Sequence, residues 1–393
     1  MKSPFKWKPW QRGAAQSRLE AKSGGYGFVA LEAQGSATWT RRDYAALTRE
    51  GYLRNAVVYR AVRLIAETSS AIPLLLYKGV EELDAHPLLD ALKAPNPRQA
   101  GAAFFEALFS TLLLAGNGYI ELTGAGDSLE LHQLRPDRTS VETDGQGWPL
   151  ALSYRAGNLK RRIGLVADER RIADALHLTL FHPLDDHYGF APLEAAATAL
   201  DVHNAAGAWN KALIDNSARP SGALVYAPKE GGNMTLDQFD RLKAELQHEY
   251  QGARGAGRPL LLEGGLDWKP MGLTPKDMDF LEAKNAAARE IALAFGVPPM
   301  LLGIPGDNTY ANYQEANRAF YRLTVLPLLA RTLSALGGWL GPLWEDELRL
   351  TFDADQVEGL ALDRAALWER VGKADFLTDD EKREAVGYRP VPS

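Results

Sequence analysis

The sequence predicts an α+β protein, and three observations carry that expectation. Helical and strand-like stretches alternate in mixed order, the strands are short and separated by turn residues, and no repeat of 20–50 residues is apparent. At 393 residues, 46% of them hydrophobic, the chain is long enough for two or three domains with cores of their own.

Residues 1–45 are rich in Gly, Ser and charge and read as loosely ordered. From Asn55, the residues Val58, Val62 and Ile65 recur at helical spacing as far as Ser70. Ile72–Tyr77 then reads as a strand entered through Pro73. Phe104–Leu114 is a strongly apolar helix, stopped by Gly116-Asn-Gly118 and followed by a strand at Tyr119–Thr123. Short strands follow at Leu131–Leu134, Ser140–Thr143 and Ala151–Tyr154. An Ala-rich helix runs from about Pro192 to Asn216, and Gly222–Ala227 reads as another strand.

Two charged, lightly apolar helices come next. The first starts at Thr235, with Gln238 three residues on in capping-box spacing, and runs to Tyr250. The second starts at Thr274, has Pro275 at its first helical position, and runs to Phe295. Between them lie Arg254-Gly-Ala-Gly-Arg258-Pro259, a strand at Leu260–Leu262 and another around Trp268. Phe239, Leu242, Leu246 and Tyr250 form one narrow apolar stripe, and Leu281, Ala288, Ile291 and Phe295 form the other. Stripes so narrow suit contact with neighbouring copies better than a monomeric core. A Pro/Gly segment follows, Val297-Pro-Pro-Met-Leu-Leu-Gly-Ile-Pro-Gly-Asp-Asn-Thr-Tyr310, which holds no Lys or Arg.

The last third reads as helical. Tyr310–Ala335 is expected as one long helix bent near Pro327, followed by Asp363–Lys373 and Asp379–Val386. Thr378 and Glu381 form a capping box for the last helix, and Gly387 stops it. Asp353/Asp355 and Asp379/Asp380 are assigned to helix starts, where negative charge complements the dipole.

The formal charge of −6 argues against tight nucleic-acid binding over the whole surface. Residues 1–24 set Lys2, Lys6, Lys8, Arg12, Arg18 and Lys22 against Glu20 alone, a net +5 that leaves −11 for the remainder. Such an arm serves as a nucleic-acid or membrane tether, or is simply a solvated terminus. The absence of cysteine excludes disulfides and thiolate chemistry and fits a reducing cytoplasm. No apolar h-region follows the basic N-terminus, so no secretory signal is read there. Val325–Trp344 is the most membrane-like stretch, but Pro327, Arg331, Gly337, Gly338, Gly341 and Pro342 interrupt it, and a buried helix is expected.

Catalytic signatures are scarce. There is no phosphate-binding G-x-x-x-x-G-K-[ST], no H-E-x-x-H and no G-x-S-x-G, and Gly252, Gly255 and Gly257 make no dinucleotide fingerprint. His177 and His182-Pro-Leu-Asp185-Asp186-His187 hold metal-ligand residue types, but in no known metal spacing, within an expected loop between strand and helix. No catalytic residue, metal or cofactor is assigned. The aromatic residues are scattered, and Trp209, Trp339 and Trp344 lie on apolar helical stretches that suit core or subunit packing.

Five motifs occur in an order that resembles the portal proteins of tailed bacteriophages. They are Asn55-Ala-x-x-Tyr59…Ala66…Ser70 and His86-Pro-Leu-Leu; Gly189-Phe-Ala-Pro-Leu-Glu194, leading through an Ala-rich helix to Asn216-Ser-Ala-Arg219-Pro-Ser-Gly222; Asp279-Phe-Leu281-Glu282 with Ile291-Ala-x-Ala-Phe295-Gly-Val-Pro-Pro299; and Phe376-Leu-Thr378-x-x-Glu381-x-Arg383 before Gly387. The likeness spans roughly residues 50–390. Ala191 stands where the family usually has Ser, Ser217 where it has Gly, and Asp380 where it often has Asn.

The resemblance implies a phage portal fold with an α/β wing, a two-helix stem, a small α/β clip and a helical C-terminal crown. It implies a flexible arm over 1–45, wing over 46–230, first stem helix over 231–252, clip over 253–273 and second stem helix over 274–296. A tunnel loop over 297–312, a long wing helix and return over 313–353, and a crown over 354–393 complete the chain. The implied function is a dodecameric ring at one capsid vertex that conducts double-stranded DNA in packaging and ejection. Partners are other copies of the chain, the large terminase subunit, a head–tail connector or adaptor and the major capsid protein, with no membrane.

The implied location is a virion or phage-like particle, assembled in the bacterial cytoplasm, from a long-tailed phage or a phage-derived gene transfer agent. Asn308, Thr309, Tyr310 and Asn312 would face DNA, and Arg254, Arg258 and Trp268 would meet clip partners. Phe239, Leu242, Leu246, Leu281, Ile291 and Phe295 would pack the stem. Two rivals are a capsid-associated adaptor or scaffold without a channel, and a metal-assisted hydrolase using His182, Asp186 and His187.

Overall fold

The computed structural model describes residues 39–124, 126–167, 172–215, 222–226, 266–270, 280–306, 309–344 and 347–388, with single positions 235, 237 and 241. The expected arm (1–38 of it), the strand at Leu260–Leu262 and nearly all of the first stem helix lie outside the described residues. The described elements mix helices with small antiparallel sheets, as an α+β chain should.

A first helix that composition did not suggest, α1 (Tyr44–Glu50), begins at Asp43, whose Oδ1 accepts the Ala46 N–H at 2.8 Å. The centre of the core is α2 (Ala56–Ala71) packed on α4 (Gly101–Ala115), with α3 (Pro87–Lys93) alongside α4. Val58, Ala61, Val62 and Ile65 of α2 meet this core with no exposed surface, as do Phe104 and Phe109 of α4. The spacing of these residues is what the sequence pattern required.

Three sheets flank that centre. In the first, β1 (Leu74–Lys78) lies between β2 (Glu81–Glu82) and the distant β11 (Leu348–Phe352). The second has β3 (Asn117–Thr123) between β4 (Glu130–Leu134) and β8 (Ala175–Thr179). The third is a meander of β5 (Thr139–Thr143), β6 (Pro149–Ala156) and β7 (Leu159–Gly164). β7 escapes a pattern search because Lys160-Arg-Arg162 reads as loop, yet its cations pair across the sheets. Arg161 grips Glu121 of β3 with two bonds of 2.8 Å, and Lys160 and Arg162 reach Glu142 of β5.

Residues 192–215 form a short helix, α5 (Pro192–Ala195), and a long one, α6 (Ala197–Asp215). β9 (Gly222–Tyr226) then pairs antiparallel with β10 (Leu266–Pro270), a ribbon closing over some forty residues of chain. The remaining helices are α7 (Phe280–Ala294), α8 (Tyr310–Phe320), α9 (Leu326–Leu340), α10 (Ala361–Gly372) and α11 (Asp379–Ala385). The capping box of Thr378 and Glu381 is present, and Gly387 takes the left-handed conformation that ends the last helix.

Asp353 and Asp355 do not start a helix. They follow β11 in a turn where Asp353 Oδ1 accepts the Asp355 N–H at 2.9 Å, a local bond that competes with helix entry. The helical run Ala311–Leu343 is long and apolar enough to cross a membrane by length and composition. One face of it, Leu329, Leu333, Leu336 and Leu340, is buried in the core.

Candidate functional site

The segment holding α7, α8 and α9 carries the residues that the resemblance singles out beside the Pro/Gly turn. The C-terminal half of α7 places Ala287, Ile291 and Phe295 in the main core, while Ala288 and Ala292 pack on Ile304. Gly296 then adopts φ +67°, and its carbonyl accepts the Thr324 hydroxyl at 2.6 Å. A Cβ at Gly296 would sit 2.7 Å from Thr324 Oγ1, so the turn needs glycine both for its dihedral and for this approach. Pro299–Leu302 make a short 3₁₀ turn, and the Arg289 guanidinium donates to the Pro305 carbonyl beneath it. Thr309 caps α8 by accepting the Asn312 N–H at 3.3 Å.

Between α8 and α9 the helix widens into a π-turn over Tyr321–Val325. Pro327 explains it. Proline offers no N–H to the Leu323 carbonyl and presses its ring on it, and the wide turn absorbs that conflict without ending the helix. The irregularity that accompanies Pro327 is this wide turn just before it.

The predicted residues divide sharply. Ile291 and Phe295 are buried inside the protomer, 0% and 3% exposed, whereas Leu281 is 68% exposed. The expectation that this stripe has no place in a monomeric core is thus corrected: α2 and α6 supply the apolar surface that α7 itself lacks. Tyr310 and Asn312 lie not in a loop but in the first turn of α8, because the Thr309 oxygen nucleates the helix there. Trp268 lies on β10, in register with Leu224 of β9. Asn308, Arg254, Arg258, Phe239, Leu242 and Leu246 lie outside the described residues.

Two polar junctions, whose partners motif reading did not supply, tie α2 to α6 and β3 to the Gly189 segment. Asn55, 2% exposed, caps α2 through its oxygen and donates to His203 Nδ1 (2.9 Å) and Asn204 Oδ1 (2.8 Å) on α6. Burial, with the charge of Lys284 second, lowers the His203 pKa and keeps that ring nitrogen an acceptor. At the second junction Asn117 Oδ1 accepts the Gly189 N–H at 2.9 Å and faces His177 Nε2 at 3.0 Å. A Cβ on Gly189 would lie 2.0 Å from the Gly116 carbonyl, so the glycine opening the Gly189-Phe-Ala-Pro-Leu motif serves close backbone packing.

His177 is on β8, not in a loop, and stacks on Tyr119 at 4.4 Å. Burial chiefly, and His187 nearby, lower its pKa to about 4. The other residues of that motif build a turn. His182 Nδ1 accepts the Leu184 N–H, and Asp185 Oδ1 accepts those of His187 and Tyr188. Among the described residues, no three His, Cys, Asp or Glu side chains are grouped to hold a metal.

Helix, turn and π-turn here form a packed structural segment, and the class of protein follows from its likeness to known proteins. The family model for the phage portal protein matches residues 56–387, and the chain belongs to that family. It is similar to a protein of Rickettsia bellii (strain RML369-C), 43% identical over 346 residues, which cover 87% of this chain and 89% of that protein. It is also similar to a solved chain from the neck of an empty gene transfer agent (GTA) particle computed with C6 symmetry. That likeness has 52% identity and a TM-score of 0.72 over 91% of this chain and 96% of the other. A chain from the neck of a native GTA particle computed with C12 symmetry gives 51% identity and 0.69, over 91% and 97%.

Proposed function

We propose that this chain forms a ring, a dodecamer, at one vertex of a phage-like particle and conducts double-stranded DNA through it. The observation that carries this reading is the path from α7 through the Pro-Pro turn into α8, which offers no Lys or Arg between Val297 and Tyr310. Six to ten phosphate contacts change binding by about 10³–10⁵ between low and moderate salt, so a ring of tunnel-loop cations would grip DNA that must slide. The nearest cation, Arg289, bonds to the turn itself. The C12 symmetry of the similar neck supports twelve copies.

In this reading Asn308, Thr309, Tyr310 and Asn312 border the channel. Phe239, Leu242 and Leu246 pack the first stem helix, and Leu281, with the equally bare Leu293, meets a neighbouring copy. Ile291 and Phe295 instead fasten the second stem helix to its own protomer. Arg254, Arg258 and Trp268 dock the terminase during packaging and a head–tail adaptor afterwards. The wing meets the major capsid protein. ATP is hydrolysed by the terminase, and the portal carries no catalytic site.

Electron microscopy of the purified protein tests the ring: class averages should show a channelled ring, while monomers at every salt concentration, or a disc without a channel, refute it. Asn308→Lys and Thr309→Lys should leave rings intact but slow packaging, more so at low salt. Unchanged packaging rates would sink the low-friction account.

A further inference from the structure

The meander of β5, β6 and β7 has two unlike faces. On one, Leu152 and its β7 partner Ile163 enter a small core with Tyr119 and Leu134, and Tyr154 packs against it with the Arg161 guanidinium over its ring. The alternate residues Ser153 and Arg155 share the other face with their β7 partners Arg162 and Lys160, and Glu142 of β5 lies on it too. Glu142 is the one carboxylate that the three strands place there, and it serves two cations. Lys160 Nζ is 3.6 Å from one of its oxygens and Arg162 Nε is 3.1 Å from the other.

Arg155 and Lys160 stand directly opposite each other, and both are exposed. Like charges in such a pair destabilise a sheet, so the fold gains nothing from this one. Arg138, the residue just before β5, lies at the same end, because Thr139 pairs with Tyr154; it is exposed as well. Among the described residues, neither Arg138 nor Arg155 has an ion-pair partner. Their neighbours Arg135 and Arg161 are neutralised by Asp137 and Glu121. Arg138, Arg155, Lys160 and Arg162 thus face Glu142 alone, four positive charges against one negative, on a chain whose formal charge is −6. Ion pairs in water contribute little, so Glu142 does not keep Lys160 and Arg162 from a second anion.

We propose that this face of β6 and β7 is a phosphate site that takes the backbone of double-stranded DNA. It rests on the conduit proposed above only for DNA as the source of phosphate, and none of its residues belongs to the segment of α7, α8 and α9. Guanidinium and ammonium groups donate to phosphate oxygens in charge-assisted hydrogen bonds, and the sheet register holds them side by side. The strands place no aromatic or large aliphatic residue on this face, since Leu152, Tyr154, Leu159 and Ile163 alternate onto the other. A protein partner needs such anchors, and so does base stacking. Contact is therefore to the backbone and independent of base sequence. The turn between Val297 and Tyr310 lets DNA pass, whereas this face holds it.

Fluorescence anisotropy of the full chain with a labelled duplex of about twenty base pairs, from about 50 to 200 mM salt, tests the site. Arg155→Ala and Lys160→Ala should each lower the slope of log affinity against log salt by about one. Arg138→Ala with Arg155→Ala should lower it by about two and weaken binding at least about fivefold at low salt. Glu142→Gln should tighten binding about twofold, a gain that damage to the fold would not produce. Arg155→Ala should not lower the melting temperature, because it relieves the repulsion from Lys160. The cations of residues 1–24 are the same in every variant, so differences between variants isolate this face. Duplexes of unrelated sequence should bind alike, and inorganic polyphosphate should compete. Polyphosphate that binds where the duplex does not, or poly-glutamate that binds more tightly than a duplex of equal charge and is lost with Arg155→Ala, overturns the assignment to DNA. Unchanged slopes in all variants, with channelled rings intact, overturn the site and leave the conduit standing. The expected slopes in a protein that forms no ring support the site and remove the conduit.

Discussion

Helices α4 and α10 are of similar length and opposite in environment. α4 buries eight of its fifteen residues against α2 and its neighbours, whereas α10 buries none of its twelve. α4 owes its stability to apolar surface from its own chain. α10 is oriented by two ion pairs, half-buries Leu367 and Val371, and leaves Leu362 exposed. The contrast separates a helix packed into the core from one held at the surface by charge.

The sharpest way to break that comparison is one substitution on each side. Phe109→Ala removes a ring with no exposed surface and should cost about 3–5 kcal/mol in urea unfolding, while Leu362→Ala on α10 should change the protomer by under about 0.5 kcal/mol. Comparable losses at both sites would mean that α10 is packed within the protomer after all.

A pH titration tests the built core next. His177 falls from its ordinary 6.5 to about 4 in the folded state, so between these values the unfolded chain binds more protons. Its contribution to stability is therefore full above about pH 6.5 and is lost as pH drops towards about 4. His177→Gln keeps a donor towards Asn117, and wild type should lose about 2–3 kcal/mol more than this variant across that window. Parallel stability curves would show that His177 is protonated without penalty.

Glu121→Gln takes the charge from the clasp joining β3 to β7 and should cost about 1–3 kcal/mol by thermal unfolding. The effect should vanish in an Arg161→Leu background. Smallest and most local, Thr378→Ala removes the cap of α11 and should cost about 0.5–2 kcal/mol, seen as faster amide exchange confined to 379–388. Hydrogen bonds from the Thr378 backbone and hydroxyl lower the Glu381 pKa, so the cap is intact at neutral pH and fails as pH falls through that depressed value. Uniform exchange changes across the whole chain would contradict a local role.

Elements whose causes lie within four residues were legible in the sequence. The Asn55 cap and the Val58–Val62–Ile65 spacing mark α2, Gly116 ends α4, and Thr378 with Glu381 starts α11. Features caused by distant chain were not. The strands β1, β9 and β10 could be read, but not that β1 pairs with β11 some 270 residues away or that β9 pairs with β10, and β7, whose cations meet Glu121 and Glu142, was not read as a strand at all. The Pro/Gly segment showed its missing basic charge and the sequence placed a helix start at Tyr310, which the structure bears out with Thr309 as cap; it was the loop over 297–312 implied by the resemblance that ran into the first turn of that helix.

The family resemblance, the capped helices and the turn without basic residues belong to the sequence by itself, because side-chain identity and local spacing determine them. Tertiary structure alone decided where the apolar stripe of α7 goes. Periodicity shows that Ile291 and Phe295 share a face, but it cannot name the surface that meets it. The α2–α4 centre and α6 close over that face within the protomer, while Leu281 and Leu293 stay outside. Burial depends on which surfaces meet in space, and a one-dimensional pattern does not hold that information.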